Sequence, residues 1–229
     1  MSYLSGAVDV TQFPGPPFES SGRPALIVSH GGVTAFTDQM DKKTPVEMWQ
    51  AIGTDGWHKV RVLPKSSTGG HVKNAVQGPK GYFLFGCGSD CTQSVGWTSA
   101  DGVGWRSVVS WDFDGLNAVL PVDAGFIGLG ERVTGTGCAV GDSEIFGTTW
   151  TSPDGRQWTK MKEEPQFNRA SMHLAIVQGG TVYGLGIRWP TVDSGPVSTV
   201  WTAALPAGSL ATMPAPAPTA TPPSVGCGE

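Results

Sequence analysis

Two short stretches hold the side chains best suited to chemistry. Trp111-Asp112-Phe113-Asp114 sets two carboxylates beside two aromatic rings. Arg188-Trp189-Pro190, followed by Asp193, offers an aromatic plane with a charge of each sign. A sugar presents an apolar ring face and a rim of hydroxyls, so flat aromatics next to carboxylates suit it. Hydrolysis of a glycosidic bond needs two carboxyl groups flanking that bond. Asp112 and Asp114, with the adjacent acids Glu163 and Glu164, are the candidates for that role. Trp111, Asp112, Asp114, Arg188, Trp189 and Asp193 are the candidates for ligand binding without catalysis. A plainer alternative stands beside both: Trp111 and Trp189 pack between structural elements and the acids are merely solvated.

Other reactive residues point to less. His30, His58, His71 and His173 are far apart in the chain. His71 and His173 fall at or near strand starts, where two hydrogen-bonded structural histidines are the simple reading. No third ligand is evident, so no metal site and no cofactor are expected. Of four cysteines, Cys87 and Cys91 sit in Gly-Cys-Gly-Ser-Asp-Cys. That spacing lacks the structural-zinc pattern and suits a short-loop disulfide, with free thiols the alternative. A second bridge between Cys138 and Cys227 is possible on paper, but connectivity is not readable from spacing. The net charge of −4 and the lack of a concentrated basic face exclude a nucleic-acid partner. No stretch approaches the roughly 20 apolar residues of a transmembrane helix. The amino-terminal residues lack the basic start and apolar run of a signal peptide.

The elements that must position these residues are announced by a repeated phrase. Trp49 to Trp57, Trp97 to Trp105 and Trp150 to Trp158 each set two tryptophans around an Asp-Gly pair, and a decayed copy begins at Val200-Trp201-Thr202. A period of about 50 residues ending in a hairpin is the signature of a radially repeated sheet. The 33 glycines and 18 prolines supply the turns that such a fold needs. Each repeat divides into four short strands, A to D, over about 24–63, 72–110, 116–162 and 172–202. The last repeat stops one strand short. Residues 7–13 alternate apolar and polar and are expected to supply the missing strand, closing the ring. The expected architecture is an all-β propeller of four-stranded blades, four blades closed by the N-terminal strand, in a domain spanning 1–205. The alternative is a fragment of a six- or seven-bladed propeller. Residues 206–229, rich in Pro, Ala and Thr, cannot build a core and are expected to form a disordered or extended tail.

Within the phrase, Asp101 and Asp154 lie midway between their tryptophans, which are then expected to face each other across the C–D hairpin. Asp accepts from turn amides and Gly permits a positive φ. Ser99 and Ser152 are placed to add a side-chain bond to the backbone. Thr-Ser-x-Asp-Gly-x-x-Trp resembles the Asp-box of neuraminidase-type repeats, with one residue missing between Asp and Gly. On these motifs the chain, over roughly residues 24–202, looks like the sialidase-like β-propeller repeat proteins, many of them bacterial and exported. The resemblance implies a structural role at the blade periphery for Asp55, Gly56, Trp57, Ser99, Asp101, Gly102, Trp105, Ser152, Asp154, Gly155 and Trp158. It also implies an extracytoplasmic, monomeric protein. The three-arginine clamp and the Tyr–Glu pair of a catalytic sialidase are not recognisable. The expectation is therefore a non-catalytic binding or scaffold module that recognises a glycan or cell-surface protein through its D–A and B–C loops. The alternative is a small glycoside hydrolase using the loop carboxylates.

Overall fold

The computed structural model describes residues 24–29, 32–38, 45–51, 56–64, 71–88, 94–108, 115–134, 144–162, 165–178, 180–191 and 195–204. They form four antiparallel sheets in chain order. Blade 1 contains β1 (Ala25–Ser29), β2 (Gly32–Thr37), β3 (Glu47–Ala51) and β4 (Trp57–Val62). Blade 2 contains β5 (His71–Gly78), β6 (Gly81–Cys87), β7 (Ser94–Ser99) and β8 (Trp105–Val108). Blade 3 contains β9 (Leu116–Val122), β10 (Gly125–Thr134), β11 (Glu144–Ser152) and β12 (Thr159–Lys160). Blade 4 has three strands among the described residues: β13 (Ala170–Gln178), β14 (Thr181–Arg188) and β15 (Val197–Ala204). No described helix is long and apolar enough to cross a membrane.

The blades repeat in register. The first tryptophan of each phrase pairs with Ala35, Leu84, Gly128 and Gly184 in turn. The A strands lie innermost and touch in series, β1 to β5, β5 to β9 and β9 to β13. Three cores fill the spaces between blades. Ile27, Phe36 and Met48 meet Leu84, Val95 and Trp97. Phe83 and Phe85 meet Leu116, Val119 and Phe126. Leu120, Ile127 and Leu129 meet Met172, Val182 and Trp201. A fully buried side chain of this size stabilises by roughly 1.5–3 kcal/mol, so these faces hold the array together.

The fourth blade breaks the pattern. Its outward residues Leu174, Ile176, Leu185 and Val200 are 52%, 49%, 38% and 59% exposed, whereas the corresponding Ala25, Ile27, Phe36 and Met48 of blade 1 are buried. Among the described residues, no contact comparable to those between neighbouring A strands joins β13 back to β1. The described sheets thus form an open arc. The closing strand expected over 7–13 and the tail over 206–229 lie outside the described residues.

The hairpin phrase does what its residue types predict, with two corrections: Ser99 bonds the Asp101 carboxylate and not the backbone, and the tryptophan pairing differs. Asp101 Oδ1 accepts from the amides of Val103 and Gly104 at 2.8 and 2.7 Å, and from Ser99 Oγ at 3.0 Å. Asp154 Oδ1 accepts from the Arg156 and Gln157 amides, while Ser152 Oγ accepts from the Gly155 amide at 2.8 Å. Gly56, Gly102 and Gly155 take φ of 77°, 76° and 76°, where a side chain would be strained. The two tryptophans do not face each other: Trp97 pairs with Ser107 and Trp105 with Ser99, a diagonal relation. Trp49 pairs with Lys59 and Trp57 with Ala51 in the same way. The second indole instead folds over its turn, Nε1 of Trp105 and of Trp158 donating to the Gly102 and Gly155 carbonyls at 3.0 Å. Its ring meets the preceding blade, Trp105 against Phe36 at 5.0 Å and Trp158 against Phe83 at 5.1 Å. Trp97 Nε1 likewise reaches the Pro64 carbonyl at the end of blade 1. In blades 2 and 3 the second tryptophan therefore joins neighbouring blades, whereas Trp49 Nε1 of blade 1 donates to Glu47 of its own strand.

Candidate functional site

Three successive A strands carry a bulge at the same place. In β5 the register skips Lys73 between Val72 and Asn74, in β9 it skips Asn117, and in β13 it skips His173. Every bulge presses the A-strand backbone onto a glycine of the B strand. A Cβ on Gly86, Gly130 or Gly186 would lie 1.6, 1.9 or 2.0 Å from the carbonyl oxygen of His71, Gly115 or Ser171. Blade 1 has Thr37 at that position and Pro24 where the extra residue would fall; no register shift is seen between β1 and β2. A bulge leaves one residue out of the ladder and re-aims its side chain. Here each re-aimed side chain is polar and stands on a strand nearest the axis.

Charged and polar neighbours complete the cluster. Lys73 Nζ reaches Asn117 Oδ1 of the next blade at 3.4 Å. Desolvation lowers the Lys73 ammonium below its ordinary pKa, and the Glu131 charge opposes the drop. Glu131 is anchored at its own backbone by the Gly115 carbonyl, 3.0 Å away. Asp38 is buried beyond the end of β2, where its Oδ2 accepts the Val72 amide and lies 3.6 Å from His71 Nδ1. Ser94 Oγ accepts the Leu116 amide, which corresponds to Val72, at 3.0 Å. His173 Nε2 shares a 3.1 Å hydrogen bond with Ser171 Oγ. The A strands begin and the B strands end at this end of the blades. Two carboxylates, a partly desolvated ammonium, an amide and two imidazoles can exchange hydrogen bonds with a polyhydroxy ligand. Among the described residues, no group of three His, Cys, Asp or Glu is arranged to hold a metal ion.

The residues singled out from the chain fall variously. Arg188 ends β14 opposite Ala170, and the Trp189 amide donates to the Arg169 carbonyl at 3.0 Å, so both stand at the axial end. Trp111, Asp112, Asp114, Glu163, Glu164, Asp193, Asp55 and Cys91 lie outside the described residues. Asp114 is the chain neighbour of Gly115, and Glu164 of Pro165, which opens a 3-10 turn over Pro165–Phe167. Cys87 is disulfide-bonded. The third B–C connection is confined to residues 135–143, because β10 runs to Thr134 and β11 starts at Glu144. Asp38, Lys73, Asn117 and Glu131 were not recognisable as a site, since they come from three repeats. Arg169 was also missed: wholly buried, with φ of 61° and its amide bonded to the Ile145 carbonyl, it turns the chain into β13.

No protein-family profile matches the chain, and no curated protein matches it by sequence. Solved structures do match by shape. One is a family 117 glycoside hydrolase from the marine bacterium Zobellia galactanivorans, 13% identical, with 82% of this chain and 70% of that chain covered at a TM-score of 0.50. A thermostable family-43 glycoside hydrolase is 9% identical over 79% of this chain and 68% of that one, at 0.46. An exo-beta-1,3-galactanase from Phanerochaete chrysosporium is 11% identical over 86% and 51%, at 0.47. The likeness to the family 117 enzyme shows the fold, a β-propeller. The sialidase type suggested by the Trp-Asp-Gly phrase finds no support among these structures.

Proposed function

We propose that the protein is a carbohydrate-active propeller that holds a sugar at the axial end and hydrolyses its glycosidic bond. The observation that carries this reading is the set of three aligned bulges, which turn Lys73, Asn117 and His173 out of their ladders at one end of the blades, where Lys73 meets Asn117 and the Glu131 charge and Asp38 accepts the neighbouring Val72 amide. Bulges concentrate where a side chain must be re-aimed, including beside active sites. Asp38 is the fixed carboxylate of this scheme, held by an amide and a neighbouring imidazole. Glu131, with Asp112 and Asp114 just ahead of Gly115 and Glu163 and Glu164 ahead of the 3-10 turn, supplies the second carboxyl group. Trp111 and Trp189 offer stacking planes, and Arg188 and Asp193 bind hydroxyls at the rim. The disulfide at Cys87 favours an oxidising compartment, so the protein works outside the cytoplasm, as a monomer on a glycan.

A second reading is favoured by the bond from the Val72 amide to Asp38, which ties blade 2 to blade 1. If that is the whole role of Asp38, the axial end binds a glycan or surface protein without cleaving it. The deciding experiment combines a panel of aryl glycosides with a glycan array. Hydrolysis of one glycoside, reduced roughly 100-fold or more in Asp38→Asn or Glu131→Gln with binding retained, supports catalysis. Array binding with no turnover in any preparation selects the binding module.

A further inference from the structure

The Asp-Gly turns of blades 2 and 3 do not seat equally on the blades before them. Between blades 2 and 3 the seat is closed. Thr98 Oγ donates to the Asp154 carbonyl at 3.2 Å, and the Phe83 ring meets Trp158 at 5.1 Å. A Cβ on Gly155 would already lie 3.1 Å from Phe83 and 3.3 Å from Thr98 Oγ. Register puts Thr34 of blade 1 where Phe83 stands in blade 2, and Gln50 where Thr98 stands. Gln50 Nε2 turns back to Thr34 Oγ at 3.3 Å, within its own blade. A cleft of about 150 Å³ is left between Thr34 and Gln50 on one side and Tyr82, Asp101 and Val103 on the other.

We propose that this cleft binds one neutral sugar ring, as a subsite separate from the axial end. Its size decides part of the argument: a drug-sized ligand needs roughly twice the cleft's volume of about 150 Å³ or more, so this cleft, open to solvent on one side, takes at most one ring with some of its substituents left toward solvent. Its walls decide the rest. The Thr34 hydroxyl and the Gln50 amide each donate and accept. The Asp101 carboxylate is held rigid by three bonds to Oδ1, and no bond to its Oδ2 is seen among the described residues. One sugar hydroxyl can donate to the remaining Asp101 Oδ2, and a neighbouring hydroxyl can pair with the Gln50 amide. An anion would be repelled by Asp101, and a wholly apolar ring would leave unused the hydrogen-bonding capacity that Thr34 and Gln50 keep beyond the bond between them. Phe36 and Trp105, in edge contact at 5.0 Å, form a stiff wall behind the cleft. The cleft lies at the turn end, opposite the axial cluster, so it stands whether or not the axial end is catalytic.

The test is an NMR titration with the methyl glycosides of galactose, glucose, xylose and arabinose, following the Gln50 side-chain amide and the Val103 backbone amide. At least one glycoside is expected to shift both signals saturably. Thr34→Phe copies the closed seat of blade 2 and is expected to fold normally and weaken that binding at least tenfold. Gln50→Ala decides the matter if Thr34→Phe does not fold. Asp38→Asn is expected to leave this titration unchanged. The proposal is overturned if no glycoside shifts the two signals, or if the shifts survive in the cleft variants. It is equally overturned if only tetramethylammonium, a cation control, produces them. Loss of the shifts in Asp38→Asn alone assigns the sugar to the axial end and removes this subsite while leaving the proposed function standing.

Discussion

Replacing Gly86 by alanine tests the bulge on which the axial site is built. The new Cβ would fall 1.6 Å from the His71 oxygen, 2.6 Å from its carbonyl carbon and 3.0 Å from Val72 Cα. All three obstacles are backbone atoms, so no rotamer relieves them. An ordinary C···O contact is about 3.3 Å, so β5 and β6 must part locally by roughly 1.7 Å. That displacement breaks the Val72–Gly86 pair and draws the Val72 amide from Asp38. Two hydrogen bonds at about 1 kcal/mol each, with about 1–3 kcal/mol for overpacking, give a loss of roughly 3–5 kcal/mol. A domain holds about 5–15 kcal/mol in all, so the variant should sit near the edge of folding. Urea denaturation followed by tryptophan fluorescence measures it, the midpoint falling while the slope is unchanged. Gly180→Ala is the control, with φ of 75° but nothing within 4 Å of the added methyl, and should cost only about 1–2 kcal/mol. Should Gly86→Ala stay within about 1 kcal/mol of the parent protein, or cost no more than the control, the tight-bulge argument fails.

Other outcomes follow from single contacts. The three hydrogen bonds on Asp101 bring its pKa down from the usual 3.8 to about 2. A carboxyl depressed in the folded state contributes stability above its unfolded pKa and loses it as pH falls through the folded one. Thermal melts of the parent and Asp101→Asn should therefore differ at neutral pH and converge between about pH 4 and 2; a constant difference would show that the charge is irrelevant. Phe83→Ala removes a wholly buried ring between blades 2 and 3 and should cost about 3–5 kcal/mol, with a red-shifted emission from Trp158; a loss under 1 kcal/mol would mean the blades close up without it. In carbon-13 NMR of reductively methylated protein, Lys73 should titrate below the ordinary lysine value, and Glu131→Gln should lower it further because the opposing charge is gone. No movement in that variant would separate Glu131 from Lys73.

Much of the architecture was legible in the chain, and the reason is local. Strands such as Val72–Gln77 and Phe126–Gly130 show apolar runs bounded by Gly, Pro and Asp, and each lies inside an observed strand, β5 and β10. The turn chemistry of Asp101 and Asp154 also depends on residues only two or three positions away. The bulges were not legible. Val-Lys-Asn-Ala reads as an unbroken strand, and only the approach of His71 to Gly86 shows that Lys73 leaves the ladder. Arg169 was hidden for a related reason, since nothing near Asn168-Arg169 says that a charged residue is wholly buried.

The chain by itself determined that four similar sheets would form, because strand period, turn residues and tryptophan spacing act over a few neighbours. The tertiary structure alone decided what those sheets bring together. Asp38, Lys73, Asn117 and Glu131 belong to three repeats and meet because A strands pack side by side around an axis. It also decided that the two Asp-Gly turns, alike in sequence, sit differently, one on Phe83 and Thr98 and the other over an open cleft beside Thr34 and Gln50. Packing between blades depends on pairs of faces, and no single repeat carries both members of a pair.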